Sequence, residues 1–138
     1  MPRLISLALV VATALAAQSV LARDTGPSQQ KVSARTILQT EVKGGVFEEA
    51  VTQVYEFPPG AVLPWHIHPD AHEIAYILDG ALTLEIEGQG ARVFKAGEAS
   101  HVPPNAVHRG LADEKLGVKL VAVRFKPKDK PLVTLVPR

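Results

Sequence analysis

From Arg35 onward the chain is cut into short apolar runs, each closed by a glycine- or proline-containing turn signal, and this punctuation limits the fold more than any other feature. Arg35–Val42 ends at Lys43-Gly44-Gly45, Val46–Phe57 at Pro58-Pro59-Gly60, Glu73–Leu78 at Asp79-Gly80, and Ala81–Glu87 at Gly88-Gln89-Gly90. The runs Ala91–Lys95, Ala99–Val102, Val107–Leu111 and Val118–Phe125 follow. None carries the periodicity of an amphipathic helix. In Ala81–Glu87, Leu82, Leu84 and Ile86 alternate with Thr83, Glu85 and Glu87, the period of two of a strand with one buried face. Asp79-Gly80 between two such runs reads as a hairpin turn. Eight or nine short strands joined by such turns predict an all-β sandwich or barrel.

The first residues stand apart. Met1-Pro2-Arg3 is a short basic start, Leu4–Ala17 is apolar except for Ser6 and Thr13, and Val20-Leu21-Ala22 presents small residues at a cleavage site. This layout predicts a secretory signal peptide over 1–22, since the apolar run is shorter than the roughly 20 residues of a bilayer span. Residues 23–34 are polar and small and predict a flexible leader; 35–138 is then the folded domain. The expected location is periplasmic or secreted, with no stable membrane insertion after cleavage.

The chain has no cysteine, so disulfides, thiolate ligands, cysteine nucleophiles and lipid attachment at a cysteine are all excluded. No Gly-x-Ser-x-Gly elbow follows the signal, which disfavours a serine triad. Removing 1–22 takes away Arg3 alone, so 14 basic residues balance 14 acidic ones, and there is no overall basic field for nucleic acid. Locally the charge is uneven: residues 41–98 are acid-rich, whereas Lys119, Arg124, Lys126, Lys128, Lys130 and Arg138 face Asp129 alone in the last stretch. That basic tail reads as a solvated terminal segment.

Chemistry concentrates between Gly60 and Gly80. His66 and His68 are two apart, so on a strand both imidazoles leave the same face. After a turn at Pro69-Asp70-Ala71, Glu73 opens an otherwise apolar strand, where a carboxylate is costly unless paired or liganded. Two imidazoles and a carboxylate converging across a turn would relieve that cost by binding a cation.

This stretch resembles the first sequence motif of the cupin superfamily: Gly60, five residues, His66-x-His68, four residues, Glu73, six residues, Gly80. Gly97, five residues, Pro103, Asn105 and His108 are similar to the second motif. There Asn105 stands where a glycine is usual, and Ala112 where an asparagine is usual. Asparagine also tolerates a left-handed turn. The resemblance spans residues 46–125 and implies a cupin jelly-roll β-barrel with His66, His68, Glu73 and His108 as interior ligands of one divalent metal ion. Fe, Mn, Ni, Zn or Cu would all suit three imidazoles and a carboxylate. It also implies two open coordination positions for a small-molecule ligand, and a homodimer.

The remaining candidates read more plainly. By alternation His72 points away from Glu73, and His101 reads as lying outside the barrel rather than as a proton carrier in it. Trp65 reads as packing, Tyr76 as core or interface, and Arg109 as facing away from the metal. Ile74, Tyr76 and Leu78, opposite the metal-facing side, are candidates for a dimer surface. No general base is identifiable. The expected function is a divalent-metal-dependent oxidoreductase of dioxygenase type acting on a small chelating organic molecule. The alternatives are a lyase or isomerase using the ion as a Lewis acid, or a non-catalytic metal- or small-ligand-binding protein.

Overall fold

The computed structural model describes residues 31–138; the expected signal peptide and the leader up to residue 30 lie outside the described residues. Nine strands follow one another: β1 (Ser33–Glu41), β2 (Glu49–Phe57), β3 (Val62–Ile67), β4 (His72–Ile86), β5 (Gly90–Lys95), β6 (Ala99–Val102), β7 (His108–Ala112), β8 (Val118–Lys126) and β9 (Thr134–Leu135). No helix occurs among the described residues, so the fold is all-β as the punctuation requires. β1 begins two residues ahead of the run that starts at Arg35.

The strands run in the order β1-β2-β8-β4-β7-β3-β9, with β5 and β6 added on β4, every pair antiparallel. β4 belongs to both halves of this curled sheet. Its first part pairs with β6 and β8, and its second part with β5 and β7. Asp79-Gly80, read from sequence as a hairpin turn, is instead the corner where β4 passes from one half to the other. The register shifts between Ile77 and Asp79, and Gly80 takes a positive φ of 74°. A bulge with a glycine bends a strand without reversing it. The backbone also comes too close here for any side chain: a Cβ on Gly80 would lie 2.1 Å from the Gly117 carbonyl oxygen.

Alternation along each strand fills the space between the halves. Tyr55 and Phe57 of β2, Ala75, Ile77, Leu82 and Leu84 of β4, Phe94 of β5, Val102 of β6 and Val118, Leu120 and Ala122 of β8 form the buried core. Arg124 continues the inward column of β8. The chain is therefore apolar at one end of its interior and charged at the other.

The basic tail is only in part the solvated segment the sequence suggests: Lys119, Lys128, Lys130 and Arg138 are exposed, while two of its cations go inside. Each of its six cations meets an acid from the acid-rich stretch: Lys119 with Glu56 (3.0 Å), Arg124 with Glu73, Lys126 with Glu49 (2.9 Å), Lys128 with Glu41, Lys130 with Asp70 (3.5 Å) and Arg138 with Glu87 (2.6 Å). Arg124 and Lys126 are buried. On β8 itself, charges that look segregated along the sequence become neighbours because the strand lies between β2, with Glu49 and Glu56, and β4, with Glu73. Exposed pairs of this kind contribute at most about 1 kcal/mol each, whereas the buried ones fix the register of β8.

Gly80 supplies a direct test of the corner. Gly80→Ala should be compared with Gly88→Ala, where φ is also positive (77°) but no atom lies within 4 Å of the added Cβ. Thermal unfolding should show a loss of about 1–2 kcal/mol at Gly88 and at least double that at Gly80. Equal losses would mean that the close backbone approach is not present.

Candidate metal centre

The three candidate histidines come together because β3 and β7 are neighbours. His66 and His108 are direct cross-strand partners, and His68 stands one residue beyond the end of β3. All three are buried, and their rings lie with centroids 4.1–5.1 Å apart. Their potential ligand atoms all lie within 4.8 Å of one another.

Each ring is held by its Nδ1. His66 Nδ1 contacts the Pro64 carbonyl at 2.7 Å, His68 Nδ1 the Leu132 carbonyl at 2.6 Å, and His108 Nδ1 the Ala106 carbonyl at 2.8 Å. A carbonyl only accepts, so each Nδ1 carries a hydrogen, which in a neutral ring leaves the lone pair on Nε2. Such second contacts fix both tautomer and ring orientation at metal sites. His108 Nε2 is buried without a hydrogen-bond partner among the protein atoms, a cost a folded chain rarely carries without a reason. Three buried imidazoles with converging Nε2 lone pairs, one of them orphaned, fit a divalent cation.

Burial, with lesser contributions from the neighbouring rings, pushes His66 down to about 4, and burial likewise lowers His108. Both are therefore neutral near pH 7, the state a ligand needs.

Glu73 enters the same space from β4 but has other partners. Its direct cross-strand neighbour is Arg124 of β8, and the two side chains form an ion pair through Glu73 Oε2 and Arg124 Nη2. Glu73 Oε2 also lies 3.0 Å from His68 Nε2. Burial alone would raise Glu73, but the Arg124 guanidinium beside it outweighs that and holds its carboxyl well below the usual carboxylate range. Three histidines thus form the group that can hold an ion, with the carboxylate beside it and shared with an arginine. Removing one partner of a buried pair costs about 3–5 kcal/mol.

Arg124 was not singled out from the sequence, although parity with Val118, Leu120 and Ala122 puts it inside. Its Nη1 donates to Gln53 Oε1 (2.8 Å), its Nε faces His68 Nε2 (3.3 Å), and its guanidinium lies 5.2 Å from the Tyr55 ring centroid. Tyr55 donates its hydroxyl to Gln53 Oε1 (2.9 Å), and burial raises its pKa, so it stays protonated. Gln53 and Tyr55 share the inward parity of β2 with Phe57; nothing in the sequence alone said that β2 would lie beside β8. The cavity has an apolar wall of Phe57, Leu63, Leu82, Leu84 and Leu120 and a polar end of His66, His108, Glu73 and Arg124, and its volume is about 30 Å³.

The other candidates lie elsewhere. His72 Nδ1 and His101 Nε2 are 2.9 Å apart, their rings stacked outside the cavity, with Phe47 edge-on to His72. Arg109 pairs with Glu85 (2.7 Å) and lies over one face of Trp65, which Arg138 also approaches. Tyr76 is half exposed rather than core. Asn105 takes a positive φ of 61° and exchanges hydrogen bonds with Asp70 (2.9 and 3.0 Å), clasping the turn that follows His68.

Residues 53–124 match a family model described as a cupin domain. Among curated proteins, the uncharacterized protein YdbB of Bacillus subtilis (strain 168) is 36% identical over 45 residues, 33% of this chain. The match spans 40% of that relative's length. Among solved structures, a cupin-like protein of Thermotoga maritima superposes with a TM-score of 0.63 at 24% identity, over 76% of this chain and 75% of that one. The polyketide cyclase RemF of Streptomyces resistomycificus gives a TM-score of 0.62 at 23% identity, over 79% of this chain and 73% of that one. At these identities the solved structures speak for the fold.

The lowered His66 has a measurable consequence for the metal-free protein. In the unfolded chain this imidazole takes up its proton near 6.5, but in the fold only near 4. The unfolded state therefore binds more protons between those values, and stability falls as the pH drops through that window. Denaturant unfolding of chelator-treated protein should give a midpoint that declines from pH 6.5 to pH 4, and less steeply in His66→Gln. A pH-independent midpoint would contradict the neutral, buried imidazole.

Proposed function

The chain belongs to the cupin family, and on that premise we propose that it is an exported protein that binds one divalent metal ion and uses it on a small oxygen-donor molecule. The observation that carries this reading is the convergence of His66, His68 and His108 with every Nδ1 tied to a backbone carbonyl and the His108 Nε2 unpartnered. Glu73 is the proposed fourth ligand; its position beside His68 supports that role, and its pairing with Arg124 limits the negative charge it brings.

A bound ion of this kind supplies Lewis acidity and, if redox-active, electrons for dioxygen chemistry. The chain's own part is to hold three imidazoles by their Nδ1 atoms, to exclude bulk water with Phe57, Leu82, Leu84 and Leu120, and to keep a protonated Tyr55 within the cavity wall. We favour a dioxygenase-type oxidoreductase. Tyr55 supports a second reading, a lyase or isomerase in which a phenol donates a proton to the reacting molecule; the structural neighbour RemF is itself described as a cyclase. Turnover that persists without oxygen would select the second reading. One ion bound with no turnover under either condition would leave a binding protein.

Export rests on the pattern of residues 1–22, and a mature N-terminus at Arg23 in exported material would support it. A homodimer is also proposed. Ile74, Tyr76 and Leu78 are half exposed along the outer side of β4, a row of large apolar groups that a second copy would cover. Light scattering should give twice the chain mass at micromolar concentration; a monomer mass would contradict it.

Metal analysis tests the centre. Wild type should hold about one ion per chain, and chelator should lower its melting temperature. His66→Ala, His68→Ala and His108→Ala should each lose most of the metal, Glu73→Ala a smaller part, and His72→Ala and His101→Ala almost none. Full occupancy in all three histidine variants would remove the centre.

A further inference from the structure

The charge balance of the cavity identifies the class of molecule it takes. With its hydrogen on Nδ1 held by a carbonyl, each imidazole that gives its Nε2 lone pair to a metal ion brings no charge of its own. Among the described residues, Glu73 is the one carboxylate lining the cavity, and it is already in contact with Arg124. The nearby Glu49 is taken by Lys126. A divalent ion at the histidines would therefore keep its full double charge, inside walls formed by Phe57, Leu63, Leu82, Leu84 and Leu120. An uncompensated charge among apolar walls is expensive, and the ligand is the remaining source of negative charge.

Arg124 is also placed to bind that charge. Its planar group has five N–H donors. Three directions are used, by Nη1 to Gln53, Nη2 to Glu73 and Nε to His68 Nε2. Nη1 and Nη2 each carry a second hydrogen. When the His68 Nε2 lone pair is given to a metal ion, the Nε hydrogen needs a new acceptor as well. A guanidinium fork matches the paired oxygens of a carboxylate or similar oxyanion. The size follows from the cavity, about 30 Å³, which is room for about two waters.

We propose that Arg124 and the metal-loaded histidine centre together form a site for a small anion, a carboxylate or comparable oxyanion of a few heavy atoms, with Arg124 as its specificity-determining residue. This rests on the metal reading and adds the charge and size of what the ion binds. Gln53 acts as a positioning residue, since its carbonyl oxygen holds the guanidinium in place.

The test uses the full exported chain loaded with cobalt(II), whose visible absorption reports added ligands, with formate as the probe and formamide as its neutral counterpart. Wild type should bind formate saturably and at least about tenfold more tightly than formamide. Arg124→Met should weaken formate by about tenfold or more per bound cobalt. Glu73→Gln, which removes the negative charge opposite Arg124, should tighten it per bound cobalt. The opposite signs of the two variants separate an anion site from general damage, and the wild-type preference stands even if Arg124→Met fails to fold. Equal formate and formamide binding in cobalt-loaded wild type would overturn the anion site alone. So would Arg124→Met protein that takes up more cobalt while keeping its formate affinity, since the arginine would then compete with the metal rather than serve its ligand. Wild type that takes up no cobalt would overturn the metal reading and this inference with it.

Discussion

Three backbone carbonyls, those of Pro64, Ala106 and Leu132, set the character of this molecule's interior. Each accepts from a histidine Nδ1, and so each directs an Nε2 lone pair into the same small space. Two of the three lie two residues before their own histidine and come from the local course of the chain. The third comes from the far end of the chain, where β9 pairs with β3 and brings Leu132 beside His68. The last residues are thus a working part of the centre, although their only regular structure is a two-residue strand.

The second constraint is the pair of Glu73 and Arg124. A buried ion pair is weak evidence for stability, because desolvation offsets most of the attraction. Its value here is in placement. The two residues are cross-strand partners on β4 and β8, far apart in the sequence, and a slip of β8 by one position would turn Arg124 to the outer face and leave Glu73 buried without it. The same pairing offsets the one carboxylate that lines the cavity beside the histidines.

Much of this was legible in the sequence. Punctuated runs with a period of two lead to an all-β chain, and the resemblance carried by the two cupin motifs implied His66, His68, Glu73 and His108 as one interior set of ligands, of which the three histidines form the group that can hold an ion. What escaped depended on long-range pairing. Asp79-Gly80 has the composition of a hairpin turn, and only the approach of Gly117 makes it a corner. Arg124 and Lys126 looked like part of a basic tail because their acidic partners lie far away in sequence. Parity along β8 already put Arg124 on the inward face, but parity does not say what stands opposite. Tyr55 and Gln53 were missed for the same reason: their relation to Arg124 exists only once β2 lies against β8.

X-ray absorption at the metal edge of the loaded protein tests the central claim most directly. The account predicts the multiple-scattering signature of three imidazoles with nitrogens at about 2.0–2.1 Å for a zinc-like ion, falling to two in His108→Ala protein that keeps residual metal. A spectrum with only oxygen neighbours, unchanged by that substitution, would show that the ion sits elsewhere and that the three histidines are not its ligands.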